Sequence, residues 1–353
     1  MSAVRLPVTY IHVTLCLGVL MGILAACSGS VSVPRSLSDL HLSNVQQIPG
    51  VVSLEQHTGT PIVLGMSAYR AADARRTPRV LFLIGAGLYD VGLDGSGLHA
   101  VPAACGGGLL AVTPSGRWLA CRNDGGIALV DLTTPTSGGT REIIQNPPGN
   151  YVGSPAWAPD GRHLAIVSQL GGGCSIAIYD GGTMFASFNQ IALLVLSQFA
   201  VSGPTGPGCS AFDLHWSPDG QWLSFVQSPP GSIYLLSLAS LAARIFHSNQ
   251  PIGTIQDTGS LLSEAASTGE DVVGPAWSSD SQTLTFVSPN GWNLEQININ
   301  TYKETQLLTQ HVAGLGGVSA IPADQRLVFV LGVPEGDFIP PPAQLYVYTP
   351  PHT

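Results

Sequence analysis

The sequence predicts an all-β fold: a β-propeller of about six four-stranded blades, closed by an N-terminal strand that joins the last blade. A hairpin pattern recurs five times, and its turn positions follow one another at intervals of 45, 59, 61 and 44 residues. Strand-length apolar segments fill these intervals, and only 10% of the residues are charged, against about 25% in an average domain. A repeat of this length with strand-only content is typical of propeller blades.

The clearest hairpin spans residues 216–226, where two apolar strands flank a tight turn. Pro218 presets φ for the first turn position, and the Asp219 side chain can accept a hydrogen bond from the following backbone. Gly220 tolerates the positive φ that allows two strands to pair around a short loop. The other copies begin at Thr113, Trp157, Trp277 and Ile321.

The remaining strands follow from the same apolar patterning. Third strands are predicted at residues 127–132, 175–180, 233–238 and 294–299. An earlier blade is predicted from strands at 62–66, 79–84, 88–93 and 98–101. The last blade ends on its third strand, at 345–348, so we expect residues 51–54 to supply the fourth and to close the ring.

The repeat resembles a known family. A W-S-P-D-G-x-x-L-x-F-V hairpin, an I-Y-x-x-x-L strand and a closing L-L-T are similar to the TolB-type propeller repeat, which prolyl oligopeptidases also contain. The resemblance runs from about residue 50 to the end and is strongest at 153–169, 212–238 and 273–309. It implies the propeller fold. Those proteins also contain α/β domains, which have no counterpart in these residues. The resemblance therefore implies little about activity.

The N-terminus is predicted to be a targeting segment, residues 1–26, with Arg5 before an apolar stretch at 11–26. Its end, Leu24-Ala25-Ala26-Cys27, resembles the bacterial lipoprotein signal. That resemblance implies cleavage before Cys27 and attachment of acyl chains, palmitate among them, which would hold the chain on the outer side of a cell membrane or outer membrane. An ordinary signal peptide or a signal anchor is the alternative. Residues 27–49 are then a tether, and 50–353 the propeller.

Four cysteines remain outside this segment. Their even number in an extracytoplasmic protein predicts disulfides, and their places beside predicted strands put all four on one face of the ring, opposite the hairpin turns. Four buried thiols are the alternative. Metal binding is disfavoured because no C-x-x-C pair occurs. The predicted pairs are Cys105–Cys121 and Cys174–Cys209.

The innermost strands indicate what could line the central channel. Small side chains are expected at most of the inward positions, namely Ala111, Ala156, Ala276 and Ala320. The one titratable pair is Asp213 and His215, which alternation places on the same face of a strand. A structural hydrogen bond that orients His215 is favoured over acid–base catalysis. These strands hold no cluster of carboxylates, and no G-x-S-x-G motif occurs, so we assign no catalytic residue, metal or cofactor.

Loops on the cysteine-bearing face are the predicted binding surface. Longer insertions are expected there at residues 203–210, 247–272 and 332–344. Trp292 on the same face could stack on a sugar or peptide, with blade packing as the alternative. Acidic residues in these loops could attract a cation or a basic protein, with plain solvation as the alternative. They are Glu264, Glu270, Asp271, Glu335 and Asp337.

These features predict a membrane-anchored lipoprotein whose propeller is an interaction platform for an envelope protein, a peptide or a glycan. The alternatives are a hydrolase or lyase acting on an envelope glycan or lactone, and a structural subunit of an exported complex. A net charge of −9 without a basic run disfavours nucleic acid as a partner.

Overall fold

The computed structural model describes residues 44–51, 62–70, 77–84, 87–105, 109–134, 140–145, 152–169, 173–182, 185–203, 206–227, 231–247, 251–256, 258–267, 273–287, 294–308, 315–332 and 343–350. All of them belong to one of the two units into which the chain divides, Pro34–Thr353. The other unit, Met1–Val33, lies outside the described residues.

Within these ranges the chain forms a six-bladed β-propeller, as the sequence predicts. The first strand of the chain, β1 (Val45–Gln47), belongs to the sixth blade. Blade one holds β2 (Ile62–Tyr69), β3 (Arg79–Ile84), β4 (Gly87–Gly92) and β5 (His99–Val101). Blade two holds β6 (Leu110–Val112), β7 (Trp118–Asn123), β8 (Gly126–Asp131) and β9 (Thr140–Gln145). Blade three holds β10 (Val152–Trp157), β11 (His163–Ser168), β12 (Ser175–Asp180) and β13 (Asn189–Val195).

The second half of the ring follows the same plan. A 3-10 helix (Ser197–Phe199) and a small hairpin, β14 (Ala200–Gly203) and β15 (Gly206–Cys209), lead into it. Blade four holds β16 (Ala211–Trp216), β17 (Trp222–Gln227), β18 (Ser232–Ser237) and β20 (Leu262–Ser267). The link from β18 to β20 contains helix α1 (Ala239–His247), strand β19 (Gly253–Ile255) and a 3-10 helix (Gly259–Leu261). Blade five holds β21 (Val273–Trp277), β22 (Thr283–Val287), β23 (Leu294–Asn298) and β24 (Glu304–Gln306). Blade six holds β25 (Leu315–Ala320), β26 (Leu327–Gly332) and β27 (Ala343–Tyr348).

The turns between first and second strands have the predicted chemistry. Gly220 has a φ of +72°, and its N–H donates to the Ser217 carbonyl at 2.9 Å. Asp219 Oδ1 accepts the Gln221 N–H at 3.0 Å. In blade five Ser281 takes the position of the glycine, with a φ of +59°, and in blade six Ala323, one position earlier in its turn, has a φ of +56°. The ring therefore tolerates non-glycine residues in the left-handed region at two of its turns.

The strand order defines two faces. The turn face carries the turns between first and second strands and the links from third to fourth strands. The cysteine face carries the links from second to third strands and from one blade to the next. Both predicted disulfides are confirmed there: the Cα atoms are 5.6 Å apart in Cys105–Cys121 and 4.7 Å apart in Cys174–Cys209.

The ring is closed by an N-terminal strand, but not by residues 51–54. Strand β1 pairs antiparallel with β27, Val45 opposite Tyr348, and the Ile48 N–H donates to the Leu345 carbonyl at 2.9 Å. Ile48 and Val51 are then buried against the first and last blades. Of the residues expected to close the ring, Val51 lies beyond strand β1, and residues 52–54 lie outside the described residues. The strand that closes the ring is short and polar, and it lies inside the stretch that the sequence assigns to the tether.

The expectation for residues 247–272 is also corrected. These residues were expected to form one loop on the cysteine face, but most of them belong to the link from third to fourth strand of blade four, which lies on the turn face. Helix α1 packs there: a Cβ at Gly220 would come within 2.8 Å of the Phe246 ring. Strand β19 then extends blade three by pairing in parallel with β13, which protects that outer edge from other strands.

The core lies between the blades. The second strands of four blades bring a phenylalanine to equivalent positions, each at most 1% exposed: Phe82, Phe225, Phe286 and Phe329. Burial of such rings contributes about 2–3 kcal/mol each and accounts for blade-to-blade cohesion in a ring whose surface is poor in charge.

Candidate functional site

A cavity of about 510 Å³ occupies the central channel. The first strands form its wall, and the turns of the turn face line one end of it. One side chain per blade lies at the same level of this wall, as the strand pairing shows. In ring order these six residues are Ser67, Ala111, Ala156, His215, Ala276 and Ser319.

Blade six differs by one residue from the sequence-based alignment. The turn hydrogen bond from the Asp324 N–H to the Ile321 carbonyl matches the bond from the Ser281 N–H to the Ser278 carbonyl in blade five. Ile321 is therefore equivalent to Ser278, and the wall position falls to Ser319 rather than to Ala320. This turn has the same length as those of blades two to five, but its aspartate lies one position later, where those turns carry glycine or serine, which is why alignment on Asp324 misplaced the register.

Asp213 and His215 are in contact, as expected. His215 Nε2 lies 2.9 Å from Asp213 Oδ1, and the His215 side chain is 36% exposed whereas that of Asp213 is 7% exposed. The other carboxylate oxygen, Oδ2, accepts the Gly274 N–H of the next blade at 2.8 Å. Both oxygens of Asp213 are thus engaged, which supports the structural interpretation of this pair.

The strand that carries the pair is not regular. Two residues of β16, Asp213 and Leu214, lie opposite the single residue Phe225, and Asp213 has a φ of +54°. This is a β-bulge, and it turns the Asp213 side chain toward blade five while His215 lines the cavity. Simple alternation, which placed both side chains on one face, does not hold across the bulge.

The bulge recurs in the neighbouring blades. Ser154 in blade three and Gly274 in blade five are the equivalent residues, with φ of +48° and +65°. The Asp213 N–H donates to Ser154 Oγ at 3.0 Å, so the bulged residues connect blades three, four and five. Sequence reasoning missed this feature, although Ser, Asp and Gly are types that tolerate the left-handed region or form local hydrogen bonds there.

Asp213→Ala is expected to lower the free energy of unfolding by about 2 kcal/mol, because the buried Gly274 N–H loses its acceptor. Asp213→Asn should cost less, because an amide oxygen can still accept that bond and asparagine tolerates positive φ. Urea denaturation of the three proteins measures both effects. Equal losses in the Asn and Ala variants would contradict this account of the side chain.

Charges gather at the turn-face end of the cavity. Arg70 lines the cavity, donates from Nε to the Pro322 carbonyl at 2.9 Å and lies 3.3 Å from Asp324 Oδ2. Arg326 Nη2 reaches the same Oδ2 at 2.7 Å. Burial acts to raise the pKa of Asp324, but hydrogen bonds from Arg326 and the charges of both arginines outweigh it and hold that pKa below its usual range. Arg70 is therefore paired within the ring.

Several predicted site residues lie outside the described part of the chain. They are Cys27, Glu270, Asp271, Trp292, Glu335 and Asp337. Among the described residues, no group of three or more His, Cys, Asp or Glu side chains could hold a metal ion. In the same residues, every helix is too short or too polar to cross a membrane.

No family model and no curated protein matches the chain, whereas many solved structures do. The luciferin-regenerating enzyme is 11% identical, with a TM-score of 0.53 over 87% of this chain and 95% of that one. The β-propeller domain of Cps50 (Swd1) from Myceliophteria thermophila is 15% identical, with a TM-score of 0.52 over 82% of this chain and 84% of that one.

TolB from Acinetobacter baumannii also matches, at 16% identity and a TM-score of 0.46 over 71% of this chain. The chain spans 55% of the length of that TolB. At these identities the likeness to the luciferin-regenerating enzyme and to the Cps50 (Swd1) domain concerns the fold alone. The propeller architecture implied by the repeat is confirmed, and the chemistry of the channel has to be argued from its own residues.

Proposed function

We propose that this six-bladed β-propeller is a lipid-anchored extracytoplasmic protein that serves as an interaction platform. The observation that carries the proposal is the pair of disulfides, because such bonds persist in oxidising compartments outside the cytosol. The disulfides agree with the lipoprotein-like signal that ends at Cys27. Acyl chains on Cys27 would anchor the propeller on the outer side of a membrane.

The cysteine face is the proposed binding surface for an envelope protein, a peptide or a glycan. Disulfides stiffen it: Cys105–Cys121 ties the entry of blade two to its second strand, and Cys174–Cys209 ties blade three to the entry of blade four. Pre-ordered loops lose less entropy when a partner binds, so a stiffened face favours binding.

Binding is favoured over catalysis by the chemistry of the channel. Its described wall offers one imidazole, His215, and the carboxylate beside it already accepts the Gly274 N–H. Asp213 is fixed in a blade-to-blade contact, and the described lining of the cavity holds no second carboxylate or imidazole that could share acid–base chemistry with His215. This arrangement supports a positioning role for the pair.

Anchoring is tested with Cys27→Ala and with Cys16→Ala as the matched control, since Cys16 lies inside the segment expected to be removed. Cells expressing each form are labelled with a palmitate analogue and fractionated. We expect label and membrane association for wild type and Cys16→Ala, and loss of label for Cys27→Ala. Labelling that survives Cys27→Ala would overturn the anchoring.

The platform is tested by photo-crosslinking in intact cells. A photoreactive residue replaces exposed Ala104 on the cysteine face or exposed Asp280 on the turn face. We expect a protein or glycan adduct from position 104 and none from position 280. Adducts from position 280 alone, or from neither position, would count against the cysteine face as the binding surface.

A further inference from the structure

The channel cavity lies apart from the proposed binding surface, because the turns that line its end belong to the turn face. Its volume, about 510 Å³, falls within the range of roughly 300–1,000 Å³ that is usual for sites of small organic ligands. A role for it would therefore be an addition to the platform function.

The wall is mostly apolar. Alanines occupy the wall positions of blades two, three and five, and the rings of Trp157, Trp216 and Trp277 lie beside them. These tryptophans are 5–7% exposed, so they contribute only a small part of the cavity surface and are held in place by packing. An apolar wall of this kind suits an alicyclic or aromatic ring system.

Polar groups stand on opposite sides of this wall. His215 belongs to blade four, and Ser67 belongs to blade one, which is opposite it in a ring of six. Ser319 of blade six adjoins Ser67, and its Oγ accepts the Ala68 N–H at 3.0 Å. A few polar groups in an apolar cavity fix the orientation of a ligand.

The hydrogen bonds of Asp213 determine which ring nitrogen of His215 can accept a hydrogen bond. Each Asp213 oxygen accepts a bond, one toward His215 Nε2 at 2.9 Å and one from the Gly274 N–H at 2.8 Å. The carboxylate therefore fixes the tautomer with the hydrogen on Nε2, and in the neutral ring Nδ1 carries a lone pair. Within the described residues Nδ1 has no hydrogen-bond partner, so it is available to a donor in the cavity.

The charges of the cavity favour an uncharged occupant. No carboxylate of the described residues lines it, and its one arginine, Arg70, is paired with Asp324. A cation would find no counter-ion, and an anion would have to compete with Asp324 for Arg70. Burying an unpaired charge in such a site is costly.

We propose that the channel binds a small, uncharged, largely apolar molecule whose hydroxyl group donates a hydrogen bond to His215 Nδ1. The apolar ring system lies against the alanine and tryptophan wall. The hydroxyl group points toward blade four. This site is independent of the lipid anchor and of the cysteine face.

The test uses the full chain in lipid nanodiscs and isothermal titration calorimetry, with empty nanodiscs subtracted. Adamantan-1-ol and adamantan-2-one are the probes, since they match in size and the ketone cannot donate. We expect saturable one-to-one binding, with the ketone about fivefold weaker because one hydrogen bond is lost. Equal affinities, or no saturable binding of the alcohol by wild type, would overturn the proposal.

Variants locate the site. Ala276→Leu should weaken binding of both probes by narrowing the cavity, and Ala111→Leu repeats the test from another blade. His215→Phe should remove the preference for the alcohol, whereas His99→Phe, at an exposed position of blade one, should keep it. Thermal unfolding confirms that each variant is folded. Unchanged affinity in both folded leucine variants would place the probe elsewhere and refute the site.

Discussion

Phe225→Ala is expected to lower the free energy of unfolding by about 3–5 kcal/mol, the usual cost of truncating a buried phenylalanine. Phe225 is 0% exposed in the second strand of blade four. Its ring centroid lies 5.1 Å from that of Phe199 in an edge contact and 5.7 Å from that of Tyr234 in a stacked contact. Truncation would leave a cavity lined by stiff rings that cannot collapse around it. Urea denaturation followed by far-ultraviolet circular dichroism measures the loss.

Tyr302→Ala is the matched control. Tyr302 is 52% exposed, so its removal should change the free energy of unfolding by less than about 0.5 kcal/mol. A loss below about 1 kcal/mol for Phe225→Ala would mean that the blade interface repacks freely. That result would contradict the view that close packing between blades holds the ring together.

Removal of the Cys174–Cys209 disulfide by paired alanine substitutions is expected to lower the free energy of unfolding by about 4 kcal/mol. The cross-link closes 35 residues of sequence and restricts the unfolded chain accordingly. Cys105–Cys121 closes only 16 residues, so its removal should cost about 3 kcal/mol on the same reasoning. Guanidinium denaturation of both double variants gives the comparison.

Wild-type protein unfolded with a reductant present is the control for these substitutions. It should lose close to the sum of the two effects, because the cross-links lie in different blades and share no residues. An unchanged midpoint in reductant would show that neither bond contributes to stability. It would also weaken the argument for an oxidising compartment.

Much of the fold could be predicted because its signals are local. Pro218, Asp219 and Gly220 each favour the same turn, and the strands around them alternate with a period of two. The disulfide pairs followed in the same way, because the place of Cys121 at the end of a predicted strand puts it beside Cys105. Once the blades are recognised, the position of a strand within its blade determines on which face of the ring each end of that strand lies.

The candidate site was harder to predict. His215 was expected in the channel and lines it, yet its strand is bulged, and Asp213 accepts the Gly274 N–H of another blade, 61 residues away. The aspartate of blade six lies one position later in its turn than those of blades three to five, so the wall position falls to Ser319 rather than Ala320. Arg70 carried no signal, because its partner Asp324 is 254 residues away in sequence.

The sequence by itself determined the propeller, the number of blades, the turn conformations and the disulfide pairs, because residues close in the chain specify each of them. Tertiary structure alone decided which segment closes the ring, where helix α1 packs and which side chains surround the cavity. Val45–Gln47 has no apolar pattern of its own and becomes a strand only because β27 offers an unpaired edge. Such features arise from contacts between distant residues, and a local pattern does not encode them.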